Sequence, residues 1–349
     1  MLGRKIGIKL STILVTGACG GIGSKLVAKL LNSGHQVIAI DDLYSGSWNN
    51  IEDHSNLTKI TIDITDTSNL ESKLSILNFD YCVHLAAISS LPECQINPTR
   101  AMAVNFLATV SLVEICARNP NFKMFIFAST SAVYEGQVAK LLTEEMFLQP
   151  ILVYPQTKFF SESYLNSIFR TRHFPIVNAR LFNVFGDLQN SQRKSPPLIN
   201  YLVRELSQGK SPTLFGWNAP PRDYISVDHV VRYFEALLES PSAIGLTFNI
   251  CSGVGLTVRQ IYGIVAKTLG SDTEPTLDMP ERLWAAYDEL AQGEFRIDPS
   301  FVKSETHKYS LGSPVAIQEF LGISFRVNHE EEISAIALKI RDNMKGTNH

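Results

Sequence analysis

A chain of 349 residues has room for one large domain or two intimately joined ones, with ample core. Hydrophobic residues make up 45% and charged ones 19%, and a net charge of −3 leaves no basic excess for nucleic acid and no Lys/Arg block for an anionic membrane surface. The five cysteines, Cys19, Cys82, Cys94, Cys116 and Cys251, lack CxxC spacing and read as reduced, buried thiols, so a cytoplasmic protein without a bound metal is expected.

The opening Met1–Leu10 is charged and too poor in apolar residues for a signal peptide, and no run approaches the ~20 residues of a membrane helix. The first predicted strand is Thr12–Thr16, followed by Gly17-Ala-Cys-Gly20-Gly-Ile22-Gly23 and a helix over Ser24–Asn32 that Asn32-Ser-Gly34 closes as a left-handed cap would. The three spaced glycines have separate jobs. Gly17 permits a tight turn, Gly20 lets backbone N–H groups approach a pyrophosphate, and Gly23 allows close helix–strand packing.

The second strand, Gln36–Ile40, ends in Asp41-Asp42, with Asp41 eighteen residues past Gly23. A carboxylate there accepts hydrogen bonds from ribose hydroxyls and repels a 2′-phosphate, so the dinucleotide expected is NAD and not NADP. The third strand, Lys59–Asp63, sets Asp63 and Ile64 beside the adenine, or else Asp63 merely caps the next turn. A helix over Ser68–Leu77, a strand over Tyr81–Leu85, a helix over Thr99–Arg118 and a strand over Phe122–Ala128 follow.

Immediately after that strand comes Ser129-Thr130-Ser131-Ala132-Val133-Tyr134, and a helix over Leu152–Thr171 then carries Tyr154-Pro-Gln-Thr-Lys158. Tyr and Lys four residues apart share a helix face, and an ammonium beside a phenol favours the phenolate, which takes a hydroxyl proton as hydride leaves the same carbon. Thr130 follows a strand expected beside the cofactor, where its hydroxyl would steady the substrate oxygen.

Strand and helix alternate as far as Ile176–Leu181, the pattern of a Rossmann-type doubly wound parallel sheet. Beyond it prolines and glycines become frequent and the apolar runs shorten. The expected division is a NAD-binding domain over 11–181, rejoined by 226–250 with its helix Val227–Leu238, and a smaller α/β substrate-binding domain over 182–225 and 251–343. Met344–His349 reads as a frayed tail.

In order along the chain, TGACGGIG, the IDD and IDIT strand ends, HLAA at His84–Ala87, STSAVY, YPQTK, Asn178–Gly186 and Arg222–Asp228 resemble the extended short-chain dehydrogenase/reductase family, in its nucleotide-sugar epimerase/dehydratase branch. The likeness spans about Ile13 to Gly270. It implies that Tyr154 is the base, Lys158 its activator and a ligand of the nicotinamide ribose, and Thr130 the hydroxyl partner. It further implies NAD lined by Gly17, Gly20, Ile22, Gly23, Asp41, Asp42, Asp63, Ile64, Leu85, Ala86, Ala87 and Asn105. Asn183 and Arg222 would hold the diphosphate of a nucleotide sugar, a UDP-sugar above all, with a surface Arg222–Asp223 ion pair as the alternative. Arg282 would be a later diphosphate ligand, although Leu-Trp-Ala follow it and not the family's Pro-Gly. A homodimer built from two helices of each subunit is usual in the family.

Two departures bear on the sugar. The family's VYG reads Val133-Tyr134-Glu135-Gly136, which suggests a loop reshaped around the substrate, and Ser89-Ser90-Leu91-Pro92 resembles the sugar-facing loop of hexosamine epimerases only loosely. Dehydratases place Asp-Glu after the threonine and uronic-sugar decarboxylases resemble them with a Glu, whereas Ser131 and Ala132 stand here. Epimerisation at C4 of a UDP-hexose or UDP-N-acetylhexosamine is the expected reaction. A 4-keto-sugar reductase and a catalytically idle NAD-binding regulator are the alternatives.

Overall fold

Short aliphatic and β-branched runs, each stopped by a turn or a helix cap, form twelve strands in the computed structural model, which describes residues 10–137, 139–187 and 194–346. They are β1 (Thr12–Thr16), β2 (Gln36–Asp41), β3 (Leu57–Thr61), β4 (Tyr81–His84), β5 (Met124–Thr130), β6 (Ile176–Leu181), β7 (Asn183–Phe185), β8 (Thr213–Phe215), β9 (Arg222–Ser226), β10 (Thr247–Ile250), β11 (Gly255–Leu256) and β12 (Thr276–Asp278). Seven make one parallel sheet in the order β10-β6-β5-β4-β1-β2-β3. The order reverses between β1 and β4, the switch point at which such sheets bind ligands.

A parallel sheet is covered on both faces, so its central strands are apolar throughout. All seven residues of β5 are buried. On one face the helices Gly21–Asn32 and Val227–Leu238 share a core with β1 and β2, through Leu26, Leu30, Val230 and Phe234. On the other, Thr67–Leu74, Pro98–Ala117 and Val153–Arg172 enclose Leu70, Leu112 and Leu165 with the sheet. The smaller sheets, β11-β9-β7 and β12-β8, pack with the helices Leu198–Ser207, Val258–Leu269 and His329–Gly346 around a separate core that includes Leu202, Ile261 and Ile336.

Two expectations are corrected. The helix Pro98–Ala117, with a π-turn over Ala103–Leu107, spans 20 residues at a mean hydropathy of 1.5 and is long and apolar enough, by length and composition, to cross a membrane. Half of it is buried, and Val104, Ala108, Leu112 and Val113 belong to the core under the sheet, so its apolarity is that of a core helix. The terminal helix runs to Gly346, into the segment expected to fray; residues 347–349 and 1–9 lie outside the described residues.

Candidate active site

The predicted cofactor residues gather at the C-terminal edge of the large sheet. Gly17 leaves β1 in the left-handed region at φ +68°, and a Cβ there would lie 2.7 Å from the Ala86 nitrogen. A Cβ at Gly23 would overlap the Gly17 carbonyl oxygen, so both positions require glycine for backbone packing. Gly20 is the N-cap of the helix Gly21–Asn32, whose first turn holds no acidic side chain to compete for an anion, and Ile22 packs inward against the core. A pyrophosphate fits this cradle of backbone N–H groups at a positive helix end.

Asp41, at the end of β2, is 8% exposed and accepts from Cys19 N at 2.9 Å and Leu43 N at 2.8 Å. Burial raises its carboxyl above the ordinary value against those two donors. Each carboxylate oxygen retains a lone pair beyond the one already used. The exposed Asp42 accepts from Tyr44 N at 3.1 Å. Asp63 caps its turn through Thr65 N at 2.9 Å and pairs with Arg100 at 2.6 Å, and Ile64 is core. The turn-capping role expected as the alternative for Asp63 is therefore present.

After β4, Leu85, Ala86 and Ala87 form a half-buried loop beside Gly17, with Ala86 N donating to Thr16 Oγ1 at 3.3 Å. Asn105, on the π-turn, is fully buried under that loop. It accepts from Ile88 N at 2.8 Å and donates to Ile88 O at 3.0 Å and Thr157 Oγ1 at 3.1 Å. Its place is thus beneath the cofactor loop and not on its surface. It ties that loop to the helix carrying Tyr154, because Thr157 Oγ1 donates in turn to Tyr154 O at 2.7 Å.

Thr130 ends β5 and caps the short turn Ser131–Tyr134, accepting from Ala132 N at 3.1 Å. A hydroxyl that accepts in this way still has a proton to donate. Tyr154 is the second residue of the helix Val153–Arg172 and is half-buried. Lys158, one turn on, is 2% exposed; its ammonium donates to Ala128 O at 2.8 Å and lies 4.6 Å from the Phe127 ring centroid. The lysine therefore joins the Tyr154 helix to the strand that presents Thr130. Burial pushes its pKa down to about 7, with Cys94 and Glu162 pulling the other way.

A buried polar cluster supports this junction. Glu162 and Arg180, 3% and 6% exposed, are paired at 2.8 Å, and Ser129 donates to Glu162. Arg180 also donates to Tyr134 Oη at 2.8 Å, which donates to Asn249 Oδ1 at 2.8 Å. Burial lifts the Tyr134 phenol to about 12 despite the guanidinium beside it.

Two of the three expected diphosphate residues, Arg222 and Arg282, share one cavity. It measures ≈ 610 Å³ and is lined also by Lys194, Phe215, Tyr224 and Leu283. Arg222 donates to the backbone of Glu305 and Thr306, and its guanidinium is 3.7 Å from the Glu305 carboxylate. Asp223 does not pair with it. Fully buried, Asp223 accepts from Ser252 N and Gly253 N, both at 2.8 Å, and burial lifts its carboxyl to about 6 against these donors. Asn183, on β7, donates to Asp223 O at 2.7 Å, which brings it to β9 but spends one amide hydrogen there.

The model of the NAD dependent epimerase/dehydratase family matches residues 13–251, more than half the chain. The chain belongs to that family. It is 31% identical to a UDP-glucose 4-epimerase of Mycolicibacterium smegmatis over 76% of its own length and 85% of the relative's. Among solved structures, UDP-glucose 4-epimerase of Thermotoga maritima, with UDP-glucose, superposes with a TM-score of 0.81 at 28% identity, covering 95% of this chain and 99% of that one. UDP-N-acetylglucosamine 4-epimerase of Methanobrevibacter ruminantium, in complex with UDP-N-acetylmuramic acid, gives 0.82 at 28% identity over 97% and 100%.

As a member of the epimerase/dehydratase family the protein is an NAD-dependent enzyme, and the glycine cradle with Asp41 fits that cofactor. Several site residues carry no sequence motif. Gln95, Glu135, Glu162 and Phe215 come from segments far apart in the chain. Only Glu135 had a signal, since it interrupts the VYG pattern.

Proposed function

We propose that the protein inverts C4 of a UDP-sugar, a UDP-hexose or UDP-N-acetylhexosamine, through a 4-keto sugar. The observation that carries this is the pair Ser131 and Ala132. They follow Thr130 in a tight turn and offer no carboxyl group for dehydration or for uronic-sugar decarboxylation. The similarity to 4-epimerases of UDP-glucose and UDP-N-acetylglucosamine supports the same reading.

The glycine cradle, Asp41 and the Leu85–Ala87 loop would hold NAD, which would supply the hydride acceptor and donor for C4. Tyr154 Oη takes the proton of the C4 hydroxyl and later gives it back. Lys158 stabilises the phenolate as that proton arrives and leaves, and the Thr130 hydroxyl donates to the substrate oxygen. Arg222 and Arg282, which line the cavity, would hold the diphosphate together with Asn183 on the strand beside Arg222, so that the sugar is the part free to turn over.

The test uses UDP-glucose, UDP-N-acetylglucosamine and UDP-glucuronate, each deuterated at C4. At least one should give a C4-inverted product that keeps its deuterium at C4, with no net NADH formed. Deuterium at C6 would indicate a dehydratase. Failure with all three, together with NADH oxidation on a supplied 4-keto sugar, would indicate the reductase.

A homodimer and a cytoplasmic location belong to the same proposal. Leu107 and Phe160, 56% and 39% exposed on the helices Pro98–Ala117 and Val153–Arg172, support a helical contact between subunits. Light scattering on the purified protein measures the mass. Five free, buried thiols support a reducing compartment.

A further inference from the structure

The helix that carries Tyr154 starts without a cap of its own. Leu152 stands at its N-cap with no side-chain acceptor, and its first turn contains no acidic residue. The N–H groups there are met from two distant segments. Glu135 Oε2 accepts from Ile151 N at 2.5 Å and from Leu152 N at 2.8 Å. Gln95 Oε1 accepts from Val153 N at 2.6 Å.

Each segment is itself part of the site. Glu135 directly follows the turn Ser131–Tyr134 that Thr130 caps. Gln95 sits on the helix Leu91–Ile96, which begins within the Ser89–Pro92 segment. Leu152 is 3% exposed and packs in one cluster with Trp284 and Tyr287, which covers the start of the helix with apolar side chains. Tyr154 is two residues past Leu152, within the first helical turn, where an uncapped helix frays.

We propose that Glu135 is a positioning residue for Tyr154: its carboxylate fixes Ile151 and Leu152, the entry to the catalytic helix, against the Thr130 segment, with Gln95 holding the Val153 N–H. This rests on the Tyr154 chemistry proposed above. The family pattern has glycine where Glu135 stands, and glycine has no side chain to supply the oxygen. One oxygen receives both N–H groups, so the amide oxygen of glutamine reproduces the contact without the charge.

The test compares Glu135→Ala and Glu135→Gln by amide hydrogen exchange and by steady-state kinetics on the UDP-sugar that the wild type epimerises. Loss of a cap corresponds to roughly tenfold in the ordered-to-frayed ratio, so the amides of residues 151–154 of Glu135→Ala should exchange about tenfold faster. Exchange in β1 and β2 should be unchanged, which shows that the variant is folded. A displaced phenol costs up to roughly 10²-fold in rate, so kcat should fall about 10- to 100-fold with KM within about twofold. Glu135→Gln should recover the protection and most of the kcat.

Wild-type exchange and kcat in Glu135→Ala would overturn the proposal. So would a Glu135→Gln variant as impaired as the alanine one, or a raised KM at constant kcat. A wild type that converts no UDP-sugar would defeat the proposed reaction, while the exchange data would still decide the clamp.

Discussion

Replacing Arg180 by methionine should be among the most damaging single changes outside the catalytic residues. Its guanidinium is 6% exposed and gives Glu162 three contacts, Nη2 to Oε2 at 2.8 Å and Nε to Oε1 at 3.1 Å and to Oε2 at 3.3 Å. It also donates to Tyr134 Oη at 2.8 Å and Glu144 O at 3.2 Å. Without it, Glu162 is left as a buried carboxylate whose described side-chain partner is the Ser129 hydroxyl. Breaking a buried pair from one side costs about 3–5 kcal/mol, because the survivor stays desolvated and unneutralised. Removing both charges in Glu162→Met/Arg180→Met should cost less than the two single losses combined. Urea unfolding reads this as a lower midpoint at unchanged slope. A loss below about 1 kcal/mol in Arg180→Met, or a double variant at least as unstable as the singles combined, would refute the reasoning.

Tyr154→Phe keeps the ring and removes the group that exchanges the proton, so kcat should drop by at least ~10²–10⁴-fold with substrate affinity largely kept; near-wild-type turnover would displace Tyr154 from its role. Asp41, buried and held by Cys19 and Leu43, should make NADP bind far more weakly than NAD, and Asp41→Asn should relax the difference in part. Equal wild-type affinities, measured by calorimetry, would defeat that reading. Lys158 gives a pH signature. Its pKa is about 7 in the folded chain against 10.5 as the ordinary value, so between the two the unfolded chain binds the extra proton and stability rises with pH. Without added dinucleotide, the stability of the wild type relative to Lys158→Met should climb by ~a few kcal/mol from pH 7 to 10.5 and stay flat below pH 7. A pH-independent difference would count against a buried, destabilised ammonium.

Strands buried on both faces were the most legible elements, since they read as apolar runs bounded by turns. β1 and β6 fall where the sequence places them, at Thr12–Thr16 and Ile176–Leu181. β3 lies two residues earlier than expected, at Leu57–Thr61. It is an edge strand with no fully buried residue, so its pattern is weak, and Asp63 belongs to the turn beyond it. β5 extends to Thr130 although Ser129 and Thr130 are polar, because their backbones pair with Arg180 and Leu181. The first helix begins at Gly21 and not Ser24, as helix propensity disfavours glycine where an anion-binding N-terminus needs it.

The same distinction governs the site. Groups that act within one loop or one helix turn, such as Gly17 with Gly23 or Tyr154 with Lys158, are visible as spacing. Groups joined only by the fold are not: Glu135 meets Leu152 across 17 residues, and Ser252 meets Asp223 across 29. Arg282 shows what this costs a motif-based reading. Its Leu-Trp-Ala neighbours depart from the family's Pro-Gly, yet Arg282 and Leu283 line the same cavity as Arg222. Trp284, 4% exposed, turns the other way and packs with Leu152 at the start of the catalytic helix. The departure therefore has a structural use, since the segment that reaches the cavity also covers the helix end on which Tyr154 sits.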